Sequence, residues 1–216
     1  MLFKSKFIYY LSLVVSLFSI IFMLAFIYKS FFIVKNQFID IEGLTYVNQV
    51  RSDDYTKRLA LHLTKGCETR VCEVQSLLDF VTDIPYKVNK SVARSGKNVI
   101  EQNYGDCDDK SNLLISLLNV KDYEAYFVVV PKHIFVVVNL GIILPNKKAL
   151  YINGRPFYKL ESTAKGSSIG FPFKYKFSEI RGFVDPFKNK KLVVNTLEYK
   201  WHILNGTKSM VKNMQR

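Results

Sequence analysis

The sequence predicts an α+β fold in which a helix packs on an antiparallel sheet, preceded by one N-terminal transmembrane helix. Residues 7–28 form an uncharged apolar run, long enough to cross a bilayer as a helix that rises about 1.5 Å per residue. Leucines repeat at three- and four-residue spacing after Cys107, which indicates a helix. Two runs rich in β-branched and aromatic residues follow, at 123–130 and 133–140, and indicate strands.

Length and composition fit one globular domain with an appendage. The chain has 216 residues, of which 49% are hydrophobic, and this is enough for a packed core. The formal net charge of +13 is compatible with binding to nucleic acid, to anionic lipid or to an acidic cell-wall polymer. The apolar N-terminal run argues against nucleic acid. The sequence contains no glycine-rich phosphate loop, and we expect no cofactor.

The N-terminal run is predicted to be an uncleaved signal anchor that follows a short basic tail, residues 1–6. A cleavable signal peptide is the alternative, but its apolar region is usually about 7–15 residues and ends at small residues. Here the run is longer and lacks an A-x-A site. Two lysines stand on each side of it, so the charge bias that sets orientation is small. The short tail and the cysteines favour a single pass through the inner (cytoplasmic) membrane, with the domain in the periplasm or outside the cell.

Between this anchor and the central helix, the sequence predicts a linker, two helices and a loop. Residues 29–43 are the juxtamembrane linker. Helices are expected over 44–64 and 74–81, and the second stops before Pro85 because the residue before a proline avoids the helical region. Residues 88–103 are predicted to form a polar loop. A loop of this length usually has a function, and this one could border the cleft.

The three cysteines divide into a close pair and a single residue. Cys67 and Cys72 are five residues apart, and in an oxidising compartment they would form a disulfide that closes a small loop. Free thiols, or a metal site completed by His62, are the alternatives, although the spacing is not a usual zinc pattern and a fourth ligand is missing. We therefore expect no metal, and Cys107 is left as the candidate for chemistry.

Residues 104–111 read YGDCDDKS and place Cys107 between a Gly-Asp turn and the leucine-rich helix. Asp106 is a good N-cap, and Asp109 stands where the acceptor of a capping box belongs. Cys107 is then the first helical residue, near unpaired N–H groups and the positive end of the helix dipole, which favours its thiolate. The three neighbouring carboxylates oppose this effect. A positive partner is therefore needed, and a histidine is the usual one.

The helix is expected to run from Cys107 to about Asn119. Strands are then expected over four stretches: about 123–130, 133–140, 147–153 and 156–161. The apolar stretch 125–144 is also long enough for a second membrane span, but polar and charged residues in its middle argue for two buried strands instead. His133 opens the second strand, only two residues after the end of the first.

The C-terminal part is predicted to hold a turn-rich loop at 163–170, an aromatic and basic segment at 171–187 and a strand at 190–197. The globular domain spans residues 44–205. A polar, basic tail follows at 206–216.

The order of these features resembles the transglutaminase-like cysteine hydrolase family, over roughly residues 75–170. In that family Gly-Asp-Cys opens the catalytic helix, the cysteine is the nucleophile, a later histidine is the base, and an acid orients the histidine. The resemblance implies a papain/transglutaminase-like core, in which the catalytic-type helix packs on the sheet. It also implies a catalytic triad of Cys107, His133 and Glu161.

The third member of this triad has alternatives. Glu161 stands at the end of a predicted strand, where the family more commonly has aspartate. Asp185 and Asn153 are the other candidates. Tyr104 and Gln102, just upstream of the turn, are candidates to bind the oxyanion together with the backbone N–H of the nucleophile.

These features predict a membrane-anchored, extracytoplasmic cysteine hydrolase or acyltransferase that acts on protein or peptide amides. The Cys107 thiolate, paired with protonated His133, would attack the carbonyl, and water or a second amine would resolve the thioester. The expected partners are envelope proteins or peptide substrates. The alternative is a non-catalytic scaffold or binding subunit of a larger membrane-embedded envelope complex. In that case assembly would depend on surface aromatics: Phe171, Phe173, Tyr175 and Phe177.

Overall fold

The structure is a computed structural model, and it describes residues 6–41, 44–88 and 92–201. The chain divides into two compact units, one ending at Phe38 and the other beginning at Ile39. The predicted basic tail at 206–216 lies outside the described residues.

The first unit consists mainly of helix α1, Lys6–Gln37, whose large apolar side chains between Phe7 and Phe32 are exposed. Its Lys6–Phe32 stretch has a mean hydropathy of 2.5 and is long and apolar enough to cross a membrane, a property that signal sequences share. The helix extends into the stretch predicted as the juxtamembrane linker, residues 29–43, whose role as a linker stays a prediction. The helix continues to Gln37 because no proline or glycine interrupts it, and strand β1, Phe38–Ile41, follows.

The second unit contains four helices: α2 (Asp54–Leu63), α3 (Arg70–Asp83), α4 (Gly96–Gln102) and α5 (Cys107–Val120). The helix predicted over 44–64 is wrong at its start. Strand β2, Leu44–Val47, pairs with β1 there, and α2 begins only after Asp53, whose carboxylate accepts the Thr56 N–H at 2.8 Å. Helix α3 includes the predicted 74–81 and ends before Pro85, as expected.

Helix α4 lies inside the stretch predicted as a polar loop at 88–103, so that prediction is also wrong in part. Ser95 caps the helix by accepting the Asn98 N–H at 3.4 Å. Asn103 ends it in the left-handed region, with φ 52°. The helix has seven residues, too few to show a repeating apolar pattern in the sequence.

The sheet contains seven strands: β3 (Glu124–Val130), β4 (His133–Asn139), β5 (Lys148–Ile152), β6 (Arg155–Leu160), β7 (Gly182–Asp185), β8 (Lys190–Lys191) and β9 (Leu197–Trp201). All pairings are antiparallel, in the order β8-β7-β3-β4-β6-β5-β9. The four strands expected between 123 and 161 are confirmed. The strand expected over 190–197 is wrong, because β8 covers only two of its residues and β9 begins at its last one.

Alternate residues of the central strands point to opposite faces of the sheet, and each face has its own core. On one face, Val136 and Val138 pack with leucines of α5. On the other face, Phe135 and Val137 pack with partly buried aromatic residues of 171–177, which we call the aromatic segment. The predicted fold class, a helix packed on an antiparallel sheet after an N-terminal apolar helix, is therefore confirmed.

The pairing of β4 with β6 brings the predicted base and acid to the same end of the sheet. Val137 lies opposite Lys159, and β6 ends one residue before Glu161. His133 is two residues from Phe135, and Lys159 lies opposite Val137 and two residues before Glu161, so these three side chains share the face that the aromatic segment covers. Cys107, at the first position of α5, approaches the start of β4 from the other face.

Candidate active site

The turn before α5 is held by backbone hydrogen bonds to the segment after α3. Gly105 donates its N–H to the Pro85 carbonyl at 3.1 Å and accepts from the Lys87 N–H at 3.1 Å. A Cβ atom at Gly105 would lie 3.0 Å from the Cβ of Asp109. Any larger residue would push against the side chains at the start of α5, so glycine favours this close approach.

The start of α5 is fixed by an N-cap and a buried ion pair. Asp106 accepts the Asp109 N–H at 3.2 Å, which confirms the predicted cap. The Asp109 carboxylate is buried and binds Arg94, with 2.6 Å between Oδ2 and Nη2 and 2.7 Å between Oδ1 and the Arg94 N–H. Arg94 also donates to the Tyr104 carbonyl at 2.8 Å. The segment that carries α4 is thus fastened to the first turn of α5.

Cys107 is a half-buried free thiol with two polar contacts. Its Sγ atom donates to Asp108 Oδ1 at 3.5 Å and accepts the backbone N–H of Ile134, the residue after His133. Burial, followed by the charge of Asp108 and then of Asp106, raises the pKa of Cys107 to about 12. Burial and the two carboxylates thus act against the effect of the helix dipole, and a resting thiolate stays a prediction that depends on the pairing with His133.

His133 is oriented by Glu161. Its Nε2 lies 3.1 Å from Oε1 and 3.2 Å from Oε2 of that carboxylate. On one side the imidazole stacks on Tyr175, with 6.4 Å between ring centroids and 24° between planes. Because a carboxylate accepts hydrogen bonds, we assign the ring proton to Nε2, and Nδ1 then carries the lone pair that a base needs.

Three residues donate to the almost buried carboxylate of Glu161. Besides His133, the Thr163 hydroxyl donates to Oε1 at 2.7 Å, and Lys159 Nζ lies 3.1 Å from Oε2. Burial raises the pKa of Glu161, but the hydrogen bond and charge of His133, then Thr163 and Lys159, outweigh it and lower this pKa to about 2. The acid is ionised at any pH at which the protein would function.

The two other candidates for the acid position have different partners. Asp185 accepts the backbone N–H groups of the turn after β7, at 3.0 and 3.1 Å. Asn153 accepts two N–H groups of the segment before β9, at 2.8 and 3.3 Å. Each of them stabilises a turn, and Glu161 is the candidate that contacts His133.

Asp108 lies between the thiol and the base. Its pKa is raised, first by burial and then by the charge of Asp106, while the hydrogen bond from Cys107 and the charge of His133 act in the opposite direction. The hydrogen bonds of Cys107 go to Asp108 and to the Ile134 backbone, and none joins its sulfur to the His133 ring. The pairing of Cys107 with His133 stays a prediction.

The two residues predicted to bind the oxyanion, Gln102 and Tyr104, contact neighbouring cationic side chains. The Gln102 side-chain oxygen accepts a hydrogen bond from Arg94. The Tyr104 ring is contacted by two cations, with Arg94 at 4.3 Å and Lys87 at 4.9 Å from its centroid. Their roles in oxyanion binding also stay predictions.

Three residues near the site were not predicted from the sequence to be part of it. Tyr86 is close enough to the thiol that its pKa is raised by burial and then by the charges of Cys107 and its neighbours. Tyr175 stacks on His133, and Lys159 pairs with Glu161. Lys159 stands two residues before Glu161, so the two-residue period of a strand was the signal that could have found it.

The close cysteine pair is a disulfide, Cys67–Cys72, which confirms one prediction and excludes the alternatives of free thiols and a metal site with His62. In the part of the chain that the structure describes, no group of three or more His, Cys, Asp or Glu side chains could hold a metal ion.

No protein family model matches this chain, and no curated protein matches it. Two solved structures are similar in fold. One is a proposed protease from Parabacteroides distasonis, with 14% identity and a TM-score of 0.46, in which the match covers 68% of this chain and 29% of the other. The second is a proposed cysteine protease from Cytophaga hutchinsonii, with 15% identity and a TM-score of 0.44, in which the match covers 79% of this chain and 55% of the other. The chain thus spans about a third and about half of their lengths, and its likeness to them is a distant one of fold.

Proposed function

We propose that this protein is a transglutaminase-like cysteine hydrolase or acyltransferase that acts on protein or peptide amides. Cys107 is the nucleophile, His133 the base and Glu161 the residue that orients the base. The observation that carries the proposal is the His133–Glu161 contact at 3.1 Å, made by an almost buried carboxylate beside the start of α5. The Gly-Asp-Cys turn and the order of the three residues along the chain support it.

The reaction starts from a neutral pair rather than from an ion pair, because the raised pKa of Cys107 keeps the sulfur protonated. The thiol leaves Asp108 and turns towards Nδ1 of His133. Nδ1 removes the proton as the sulfur forms a bond to the amide carbonyl carbon. The tetrahedral intermediate then collapses, the C–N bond breaks, and the imidazolium gives its proton to the leaving amine. Glu161 stabilises the imidazolium while it exists.

The thioester left on Cys107 is resolved by water, which gives hydrolysis, or by a second amine, which gives transfer or cross-linking. In both cases Nδ1 of His133 takes a proton from the attacking group, and the thiol is regenerated. The access of water and the shape of the acceptor site decide between these outcomes. The N–H of Cys107 at the helix start is a donor for the oxyanion.

We further propose that α1 anchors the domain to the inner membrane and that the domain lies in the periplasm or outside the cell. The apolar Lys6–Phe32 stretch supports the anchor. The Cys67–Cys72 disulfide supports an oxidising compartment, because such bonds are rare in the cytosol. Envelope proteins and peptide amides are the substrates available there.

A second candidate function is a non-catalytic subunit of an envelope complex. The specific observation in its favour is the state of Cys107, whose thiol donates a hydrogen bond to the Asp108 carboxylate and whose pKa is raised to about 12. A thiol in this state is a poor nucleophile until the base removes its proton. In such a subunit, a docking surface rather than Cys107 would carry the function. The aromatic residues expected to form this surface include Phe173, Tyr175 and Phe177, which are partly buried against the sheet.

Cys107→Ala separates the two functions. For an enzyme we expect loss of the biological effect, since removing a nucleophile typically lowers kcat by at least about 10^4-fold. The measurement is complementation of a deletion strain at matched protein level, with thermal melting to show that the fold survives. Cys107→Ser should be nearly as inactive, and Ser178→Ala, at an exposed position in the 3₁₀ helix Phe177–Glu179, is the matched control. Full complementation by Cys107→Ala would end the enzyme proposal, and its loss with normal melting would end the scaffold proposal.

A further inference from the structure

Lys159 is a buried cation inside the core that the aromatic segment covers. Only 5% of the residue is exposed. Its Nζ lies 3.1 Å from Glu161 Oε2, and the exposed fractions of the two side chains are 6% and 8%. A buried ammonium group is strongly unfavourable unless it is paired and hydrogen-bonded, so this pair is a specific feature of the site rather than a surface contact.

The surroundings of Lys159 keep water away from the pair. Its Nζ lies 4.6 Å from the centroid of Phe135, 5.3 Å from that of Phe171 and 5.5 Å from that of Tyr175. Its remaining hydrogen bond goes to the Pro172 carbonyl at 3.5 Å. Among the described residues, Glu161 is the carboxylate with which Lys159 forms an ion pair. Three aromatic faces and one carboxylate therefore fix the ammonium group in place.

Glu161 is consequently shared between two nitrogen groups. Oε2 is 3.1 Å from Lys159 and 3.2 Å from His133, while Oε1 is 3.1 Å from His133. Part of the negative charge that would stabilise an imidazolium is already compensated by the lysine. The lysine cation also repels a positive charge on the imidazole directly.

The other groups near His133 do not supply a second cation. From α5, Asp108 and the neutral thiol of Cys107 approach it, and from the aromatic segment the Tyr175 ring covers one face. Lys110, one turn along α5, lies near Glu161, but its Nζ donates to backbone carbonyls at the end of α3 at 2.7 and 3.4 Å. Lys159 is therefore the cation in contact with the acid that orients the base.

We propose that Lys159 is a positioning residue that sets the charge of the site: it keeps Glu161 ionised and in place, and it opposes protonation of His133. In this state the imidazole has a free lone pair at Nδ1 and can act as the base for a thiol that is itself protonated. The link to catalysis rests on the proposed function, while the charge coupling between Lys159 and His133 does not.

The test is a pH titration of the histidine rings by NMR in the full-length protein in detergent micelles. The chain has three histidines, and His133→Gln identifies the signal of interest. Lys159→Met removes the charge at similar length, and we expect the His133 ring to titrate about one pH unit higher than in the parent. Lys159→Arg keeps the charge and should restore the parent midpoint. Lys165→Met, at a lysine with an 81% exposed side chain, is the matched control.

Lys159→Gln covers the case in which Lys159→Met fails to fold, since its amide can still donate to Glu161 or to the Pro172 carbonyl. An unchanged His133 midpoint in the folded, uncharged variants overturns the proposal. The result is separable from that of Cys107→Ala. If the His133 midpoint shifts but Cys107→Ala complements fully, the charge coupling is supported and the enzyme proposal fails. If the midpoint is unchanged but Cys107→Ala does not complement, the enzyme proposal is supported and the coupling fails.

Discussion

Two carboxylates of the site, Asp108 at the start of α5 and Glu161 at the end of β6, differ in their electrostatic state. Both are largely buried. Burial and the charge of Asp106 raise the pKa of Asp108, whereas the hydrogen bond and charge of His133, with Thr163 and Lys159, overcome burial and lower the pKa of Glu161 to about 2. Burial opposes ionisation in both cases, so the difference comes from the partners.

The comparison shows that the side of the site that holds the base is preorganised, whereas the side that holds the nucleophile is not. On the β6 side a buried cation and two hydrogen-bond donors hold the acid and, through it, the imidazole. On the α5 side two acids flank a thiol with no cation in contact with it among the described residues. The base is therefore organised in advance, while the nucleophile has to be released from Asp108 before it reacts.

Removal of the charge of Glu161 tests the base side of the site and should have the largest effect on activity. Glu161→Gln keeps the shape of the side chain but cannot stabilise an imidazolium, and we expect turnover of a peptide-amide substrate to fall roughly 10^3-fold. Asp185→Asn, at the alternative acid candidate, is the control and should leave turnover unchanged. Parent-like turnover in Glu161→Gln would contradict the assigned role.

The two carboxylates should also contribute to stability with opposite pH dependence. Glu161 has a folded pKa of about 2 and an ordinary value of 4.5, so its contribution is fully present above the ordinary value and is lost as the pH falls towards the folded one. This contribution amounts to about 3 kcal/mol. Asp108, with a raised pKa, contributes in the reverse sense and gains as the pH falls.

Urea unfolding at about pH 6 and at about pH 3 measures this difference. The loss of stability in acid should be smaller in Glu161→Gln than in the parent, and larger in Asp108→Asn. Equal losses in the three proteins would mean that the two carboxylates do not differ in the way described.

Removal of the charge of Asp108 tests the nucleophile side of the site and should have the smallest effect. We expect it to make the Cys107 thiol more reactive. Since Asp108 is the nearest charge that raises the pKa of Cys107, Asp108→Asn should lower that pKa. We expect alkylation of Cys107 by iodoacetamide at about pH 8 to become about tenfold faster, because the rate follows the thiolate fraction. Asp122→Asn, at an exposed position beyond the other end of α5, is the control. An unchanged or slower rate in Asp108→Asn would show that the carboxylate does not restrain the thiol.

Strong local patterns made much of the fold predictable from the sequence. The leucine spacing of α5 and the β-branched runs of β3 and β4 give unambiguous periods, and Asp106 is a cap of a common type. Helix α4 and strand β7 were missed because each is too short to show a period. The predicted start of α2 was wrong because residues 44–47 pair with β1, an interaction that local propensity does not encode.

The same distinction applies to the site. Cys107, His133 and Glu161 lie next to turns or at the ends of helices and strands, where a residue that can take part in catalysis is easy to recognise in the sequence. Lys159 lies inside β6 between Tyr158 and Leu160, and its importance appears only once β6 is paired with β4 and the aromatic segment covers it. The raised pKa of Cys107 likewise depends on burial, which the helix-dipole argument did not include.

The two-residue turn between β3 and β4 has a consequence for how this protein can vary during evolution. Val130 pairs directly with His133, and Lys132 in the turn has a φ of 59°. Insertion of one residue into β4 after His133 would reverse the alternation and turn the imidazole to the other face, away from Glu161. Insertions and deletions there are therefore expected to be selected against as strongly as substitution of His133 itself, while the wider loops of the chain remain free to change in length.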